Sequence, residues 1–218
     1  MIFYAVLAPV IGVAIFFIGE AIRRRLKRGN EDSRKLLHAV HGLTIIAWLF
    51  LVGHQFIIAF EIFFFVAMFV IKYMAPRFPS VVGRMYKVGR DSYGEFFYPI
   101  GVIAAIVIAG SDWLIVAALL QLALADSVAA IVGKSFGKSN SYKLFGGTKS
   151  VAGTTAFAVT SAIIFLVILL PTQPHTAGLW AAIVIMPLVI AAVENVSVMG
   201  SDNLTIPLTA AVLLRLLA

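Results

Sequence analysis

The chain has 218 residues, of which 61% are hydrophobic and 12% charged, with a formal net charge of +7 and a mean hydropathy of +1.02. Soluble domains carry about 25% charged residues, so this chain owns too few polar groups to cover a solvated globule and reads as a polytopic membrane protein. The absence of cysteine excludes disulfides, thiolate metal sites and cysteine nucleophiles.

In chain order, apolar segments run over residues 3–21, 36–53, 55–71, 94–110, 113–133, 151–170 and 179–198. A helix of about 20 residues rises roughly 30 Å, the depth of a bilayer core, so each segment predicts a span. Residues 204–218 are apolar but shorter, with Pro207 near the start; they read as an eighth span, with a half-inserted helix as the rival. The expected fold is therefore all-α, a polytopic transmembrane helix bundle of seven to eight spans in a single catalytic domain over residues 1–218. No internal repeat is evident.

The basic residues sort by side. Arg23, Arg24, Arg25, Lys27, Arg28, Arg34 and Lys35 follow the first span; Lys72, Arg77, Arg84, Lys87 and Arg90 follow the third; Lys134, Lys138, Lys143 and Lys149 follow the fifth. The intervening turns near His54, around Ser111 and Asp112, and over 171–178 hold no Lys or Arg, leaving Arg215 as the exception. By the positive-inside rule the N-terminus faces outward and the basic loops face the cytoplasm, which in a prokaryote means the plasma membrane. The first basic run follows its apolar segment rather than preceding it, so that segment reads as an anchor rather than a signal peptide. Topology and attraction to anionic headgroups account for the net charge, and nucleic acid is not an expected partner.

Ionisable groups inside spans are costly and need compensation. In the second span Lys35, His38 and His41 recur every third residue and can share a helix face, with Lys35 and His38 suited to phosphate contact or proton relay and His41 to packing. Glu61 lies deep and reads as a structural pair. The Phe63, Phe64, Phe65 run reads as lipid or helix packing. Glu95 stands at the cytoplasmic start of the fourth span, where Pro99 cannot donate to its carbonyl; it is open between headgroup or metal work and an ion pair. Tyr93 reads as an interface anchor. With Asp126 and Glu194, Glu95 is expected at one depth beside the basic loops.

The stretch from Asp126 to Thr154, DSVAAIVGKSFGKSNSYKLFGGTKSVAGT, combines a carboxylate with glycines and lysines. Glycine lets an anion approach backbone donors and lysine adds compact positive charge, so a phosphate loop competes here with a charged turn and a glycine-rich helix interface. A Walker loop fails, because Val132 and Val128 occupy the positions where its first glycine is required. Asp126 suits Mg²⁺ or phosphate work. Glu194, Asp202 and Asn203, in ENVSVMGSDN, could close the same pocket, with capping or a helix contact as the alternative for the last two. Pro187 reads as a kink in the seventh span.

The order of these pieces resembles the CTP-dependent membrane lipid kinases, a family that includes dolichol, polyprenol and phytol kinases and a fungal-type diacylglycerol kinase. The resemblance runs from Arg34, Lys35 and His38 through Gly94, Glu95, Tyr98 and Pro99, then Asp126, Gly133, Phe136, Gly137 and Lys138, then Lys149, Ser150 and Gly153, to Glu194, Gly200, Asp202, Asn203 and Pro207. Ala152 departs from the acidic residue that many relatives carry before the glycine matching Gly153. The resemblance implies transfer of the terminal phosphate of CTP to the hydroxyl of a membrane isoprenoid alcohol. Lys35, Gly133, Gly137, Lys138, Lys149, Ser150, Gly153 and Asn203 would surround the nucleotide, and Asp126, Glu194 and Asp202 would hold Mg²⁺. Asp126 and Glu194 would also act in catalysis, and His38 or Glu95 would orient or deprotonate the alcohol. Alternatives are a CDP-diacylglycerol synthase type of cytidylyltransferase, a diacylglycerol kinase, and a transporter of an anionic solute. The sparse acids of GSDNLTIP, Gly200 to Pro207, argue against the cytidylyltransferase. The lack of matching broken-helix halves argues against transport.

Overall fold

The structure is a computed structural model that describes residues 10, 30–74, 93–145 and 147–218. The first expected span at 3–21 (residue 10 apart), the N-terminal orientation that rests on it, and the basic residues at 23–28 and 77–90 lie outside the described residues, as does the side chain of Arg34. The chain forms α1 (Asn30–Leu51), α2 (His54–Met74), α3 (Gly94–Ile108), α4 (Asp112–Leu120), a π-helical turn (Gln121–Ala125) and α5 (Asp126–Phe136). A 3₁₀ turn (Lys138–Asn140) leads into strands β1 (Ser141–Leu144) and β2 (Gly147–Ser150), followed by α6 (Val151–Thr172), α7 (Ala177–Val196) and α8 (Asp202–Leu217). Every expected span from 36–53 onward has a helix in its place.

Among the described residues, three helical stretches are long and apolar enough to cross a membrane: Asp112–Phe136, Val151–Thr172 and Ala177–Val196. Lys35–Leu51, His54–Val70 and Gly94–Ile108 are shorter apolar helices. The stretch built from α4, the π turn and α5 is the central one. Its most apolar window is 61% buried, against 33% and 39% for the other two, and α1, α6 and α8 all pack on it.

Lipid tails are as apolar as leucine, so membrane helices associate through close packing of small residues rather than by hiding from water. A Cβ added at Gly42 would come within 2.8 Å of the Ala123 Cβ and 3.0 Å of the Tyr98 hydroxyl, so glycine is what lets α1 touch the π turn. One at Gly101 would collide with the Asn203 carbonyl and with Pro207, which sets α3 against α8. These two helices run the length of each other. Asn203 Nδ2 donates to the Gly94 carbonyl at one end (3.0 Å), and Arg215 packs on Gly110 at the other. Although α8 has 16 residues, about 24 Å of helix, its Ile206, Ala210, Ala211 and Leu214 are buried in the bundle.

The hairpin departs from the all-α expectation. Residues 141–144 and 147–150 alternate rather than following a helical period, and β1 pairs antiparallel with β2 through Tyr142↔Lys149 and Lys143↔Thr148. Phe145 turns the chain with a positive φ of 44°, as tight two-residue hairpin connections demand. The Phe run divides as its helix face dictates: Phe63 is exposed on the bundle surface, Phe64 packs on the His41 ring and Phe65 on Phe96. Helix α7 continues through Pro187 from Ala177 to Val196.

Candidate active site

Helices α1, α5 and α7, the start of α6, the hairpin and the α7–α8 turn enclose a cleft of about 750 Å³ at one end of the bundle. It is lined by residues from five separate stretches of sequence: Lys35; Asp126 to Lys138; Ser141 to Thr154; Glu194; and Ser197 to Asp202. Its floor is an ion triad. Lys35 Nζ donates to Asp126 Oδ2 and, at 3.3 Å, to Asp202 Oδ2. The side chains of Lys35, Asp126 and Asp202 are 10%, 3% and 15% exposed, so one ammonium compensates two largely desolvated carboxylates from helices remote in sequence.

A second pair forms the opposite wall. Lys149 Nζ, from β2, donates to both the Oε1 and the backbone carbonyl of Glu194, near the end of α7. The neighbouring Asn195 is tied to the same hairpin: Tyr142 donates its hydroxyl to Asn195 Oδ1 at 2.8 Å, and Thr154 Oγ1 donates there at 2.9 Å. These three polar groups clip the hairpin between α6 and α7.

Between the walls, helix α6 begins. Ser150 caps it by accepting from the Gly153 backbone N–H at 3.1 Å, and the unpaired backbone donors of a helix start favour negative charge. The glycines around it are packing residues as well as openings. A Cβ at Gly137 would lie 2.5 Å from Ser150 Oγ, and one at Gly153 would lie 3.3 Å from the Gly133 Cα. Both sides of the sequence alternative, phosphate approach and glycine-rich interface, therefore describe the same residues. The arrangement offers an anion a helix start and four lysines (Lys35, Lys134, Lys138 and Lys149), and sets them beside acids that could hold a cation.

Of the expected site residues, Lys35, Asp126, Gly133, Gly137, Lys138, Lys149, Ser150, Gly153, Glu194 and Asp202 meet in this cleft. Three do not line it. Glu95 is ion-paired to Lys72 at 3.0 Å, and Lys72 lies over the Tyr93 and Phe96 rings at 4.6 and 4.7 Å. A cation at the end of α2 thus takes this acid as an ion pair, one of the two readings left open for it, and Asp202 joins Asp126 in the cleft as expected. Asn203 is buried and bonded to Gly94, as a strut between α8 and α3. His38 lies one turn beyond Lys35, its carbonyl accepting from the Tyr98 hydroxyl at 3.1 Å and its ring 4.9 Å from the Tyr98 ring. His41 stacks on the other side of this group and pairs with the fully buried Glu61 at 2.9 Å, the structural pairing expected for that acid.

No group of three or more His, Asp or Glu side chains is gathered to hold a metal ion among the described residues. Asp126 and Asp202 nevertheless direct oxygens at a single point, the Lys35 ammonium, and oxygen donors of this kind suit Mg²⁺, which takes one or two carboxylates and completes its shell with phosphate and water. The sequence reading missed Tyr142, Thr154 and Asn195, because only the hairpin brings them together.

The chain is similar to a phytol kinase of Synechocystis sp., 29% identical over 205 residues that cover 92% of this chain and 85% of the relative. This relation agrees with the lipid-kinase resemblance carried by Arg34 to Pro207 and supports an enzyme, a kinase. No family model matches the chain. No solved structure matches it.

Proposed function

We propose that the protein is a CTP-dependent kinase that phosphorylates the hydroxyl of a membrane isoprenoid alcohol of the phytol, polyprenol or dolichol type, releasing CDP. The observation that carries the reading is the cleft itself: Lys134, Lys138, Lys149 and a capped helix start share it with a desolvated Asp126–Lys35–Asp202 triad at the end of a bundle with membrane-crossing helices. Phosphate chemistry and an apolar substrate meet at such a place. The similarity to a phytol kinase supports the same class of acceptor. In this reading seven to eight spans cross the membrane, the N-terminus faces outward, and the cleft opens to the cytoplasm, as the basic loops require.

The triphosphate would lie along Lys138, Lys149 and the Ser150 cap, with Gly133, Gly137 and Gly153 leaving room for it. Asp126 and Asp202, with Glu194 across the cleft, would hold Mg²⁺. When bound, the metal supplies charge neutralisation at the phosphoryl group in flight. Lys35 would exchange a carboxylate for a phosphate oxygen as the nucleotide enters. The alcohol oxygen attacks the terminal phosphorus, the bond to the bridging oxygen breaks, and CDP keeps that oxygen. The hydroxyl proton passes to an oxygen of the transferred phosphoryl group, which leaves Asp126 to the metal.

Purified protein in lipid nanodiscs, given Mg²⁺, γ-labelled CTP and a panel of phytol, polyprenols, diacylglycerol and phosphatidic acid, should label an isoprenoid alcohol. Label in diacylglycerol would reassign the acceptor. Label in pyrophosphate together with a CDP-lipid would replace the kinase by a cytidylyltransferase. Flux of an anionic solute without either product would overturn the enzyme reading.

A further inference from the structure

One polar residue in the bundle has no explanation in the cleft. Gln121 is fully buried at the start of the π turn, and neither its Oε1 nor its Nε2 has a hydrogen-bond partner among the described residues. A buried primary amide with both ends unsatisfied is rare in native proteins and marks an absent partner or a function. Ser161, on α6, is equally buried and its hydroxyl is equally unsatisfied.

The backbone explains why Gln121 is relevant to Asp126. The Asp126 N–H donates to the Gln121 carbonyl across the π turn, an i to i+5 bond. In a continuous α-helix five residues would turn about 500°, leaving Asp126 about 140° off the Gln121 face. The wider turn stacks the two residues instead, with Gln121 about one turn deeper in the bundle. Single π turns inside α-helices often occur at functional sites.

The level of Ser161 follows from the helix contact at Gly153, which meets the α5 backbone at Ala129 and Gly133. Eight residues up α6 from Gly153 is about 12 Å of rise. From the middle of the Ala129–Gly133 contact to Gln121 is ten residues, about 15 Å at the α-helical rise and less across the wider π turn. The two unsatisfied groups therefore lie at nearly the same depth. Around them the same helices bury Leu119, Leu122, Phe157 and Phe165, so the level is apolar and carries no formal charge on these elements.

We propose that Gln121 is the binding residue for the lipid alcohol, its amide holding the hydroxyl one helical turn on the membrane side of Asp126, with Ser161 as a second contact. The assignment rests on the kinase reading above. An alcohol hydroxyl donates once and accepts once, which the amide matches with Oε1 and Nε2, and the apolar surroundings suit a hydrocarbon chain but reject a charged headgroup. Asp126 then stands between the hydroxyl and the phosphates, where the metal it would hold can face both.

The test uses wild-type protein, Gln121→Leu and Ser161→Ala in nanodiscs. Leucine removes the amide and adds no polar group, so the melting temperature should hold or rise. The KM for the alcohol should rise roughly tenfold in Gln121→Leu, with the KM for CTP unchanged. An unchanged KM for the alcohol in a folded Gln121→Leu would overturn the assignment and leave Gln121 as a site for buried water. A long-chain isoprenoid alcohol with a diazirine beside its hydroxyl provides a readout without turnover: crosslinking to the 121–126 segment or to Ser161 supports the site, and crosslinking confined to other helices rejects it. Should the wild type phosphorylate no alcohol, the kinase reading falls, and the photoprobe alone decides whether this level binds one. Should Gln121→Leu fail to fold, Ser161→Ala and the wild-type photoprobe carry the decision.

Discussion

Replacing Lys35 by methionine tests the floor of the cleft. Methionine keeps the length and apolar stem of the lysine and removes the charge shared by Asp126 and Asp202. Breaking a buried ion pair by removing one partner costs about 3–5 kcal/mol, because the other charge stays desolvated. Here the removed cation serves two carboxylates, one 3% and the other 15% exposed, so partial hydration of Asp202 places the expected loss near the lower end, about 3 kcal/mol. Removing Asp126 as well, as Asp126→Asn, relieves the like-charge contact, and the double variant should recover a coupling of about 1–3 kcal/mol. Unfolding in mixed micelles by titrated denaturing detergent, followed by tryptophan fluorescence, measures all four corners of this cycle. If Lys35→Met unfolds like the wild type, or the two substitutions add without coupling, the acids are hydrated and the triad does not organise the floor.

Asp126→Asn alone leaves Lys35 paired with Asp202 and should keep the fold while reducing labelled-lipid formation at least a hundredfold; near-normal turnover would remove Asp126 from the chemistry. Gly137→Ala drives a Cβ into Ser150, at 2.5 Å from its Oγ and 2.6 Å from its Cβ, and should cost about 1–3 kcal/mol in the same unfolding assay. Gly147→Ala, whose nearest neighbour would be the Leu144 carbonyl at 3.5 Å, is the matched control and should be near neutral. Tyr142→Phe deletes the hydroxyl bonded to Thr154 and Asn195; a rise of several-fold in the KM for CTP, with the KM for the alcohol unchanged, is expected, and an unaltered nucleotide KM would show that the clip does not position the loop.

Helix positions in this protein are legible because hydrophobic length is a direct physical requirement of the bilayer, and each expected span from 36–53 onward coincides with a helix. The gathering of Asp126, Lys149, Ser150 and Glu194 was also legible, since a topology with alternating basic connections delivers them to one end. For Glu95 an ion pair was one of two open readings, and its partner Lys72, lying over two aromatic rings, is a choice that spacing does not encode. Lys35 was read as a phosphate contact, but its closing of two acids from α5 and α8 is a long-range pairing visible only in three dimensions. The hairpin escaped detection because strands of four residues leave too short a pattern beside the glycines and lysines. Gln121 passed unnoticed for a related reason: a π turn shifts the face of a residue without altering composition or hydropathy.

The hairpin has a further consequence for how the cleft keeps its shape. An isolated two-stranded hairpin is marginal in water, and this one has four residues in each strand. Its cross-strand partners Tyr142 and Lys149 grasp successive residues of α7, Asn195 and Glu194. A helix rung is thus used as a ruler against which the strand pairing is read. A slip by one residue would turn Lys149 to the opposite face and carry Ser150 off the start of α6, so the register of the loop is written into a helix outside it. A segment that would drift on its own acquires the positional accuracy of the helix bundle, and the nucleotide proposed for this cleft would find a surface as well located as the helices beneath.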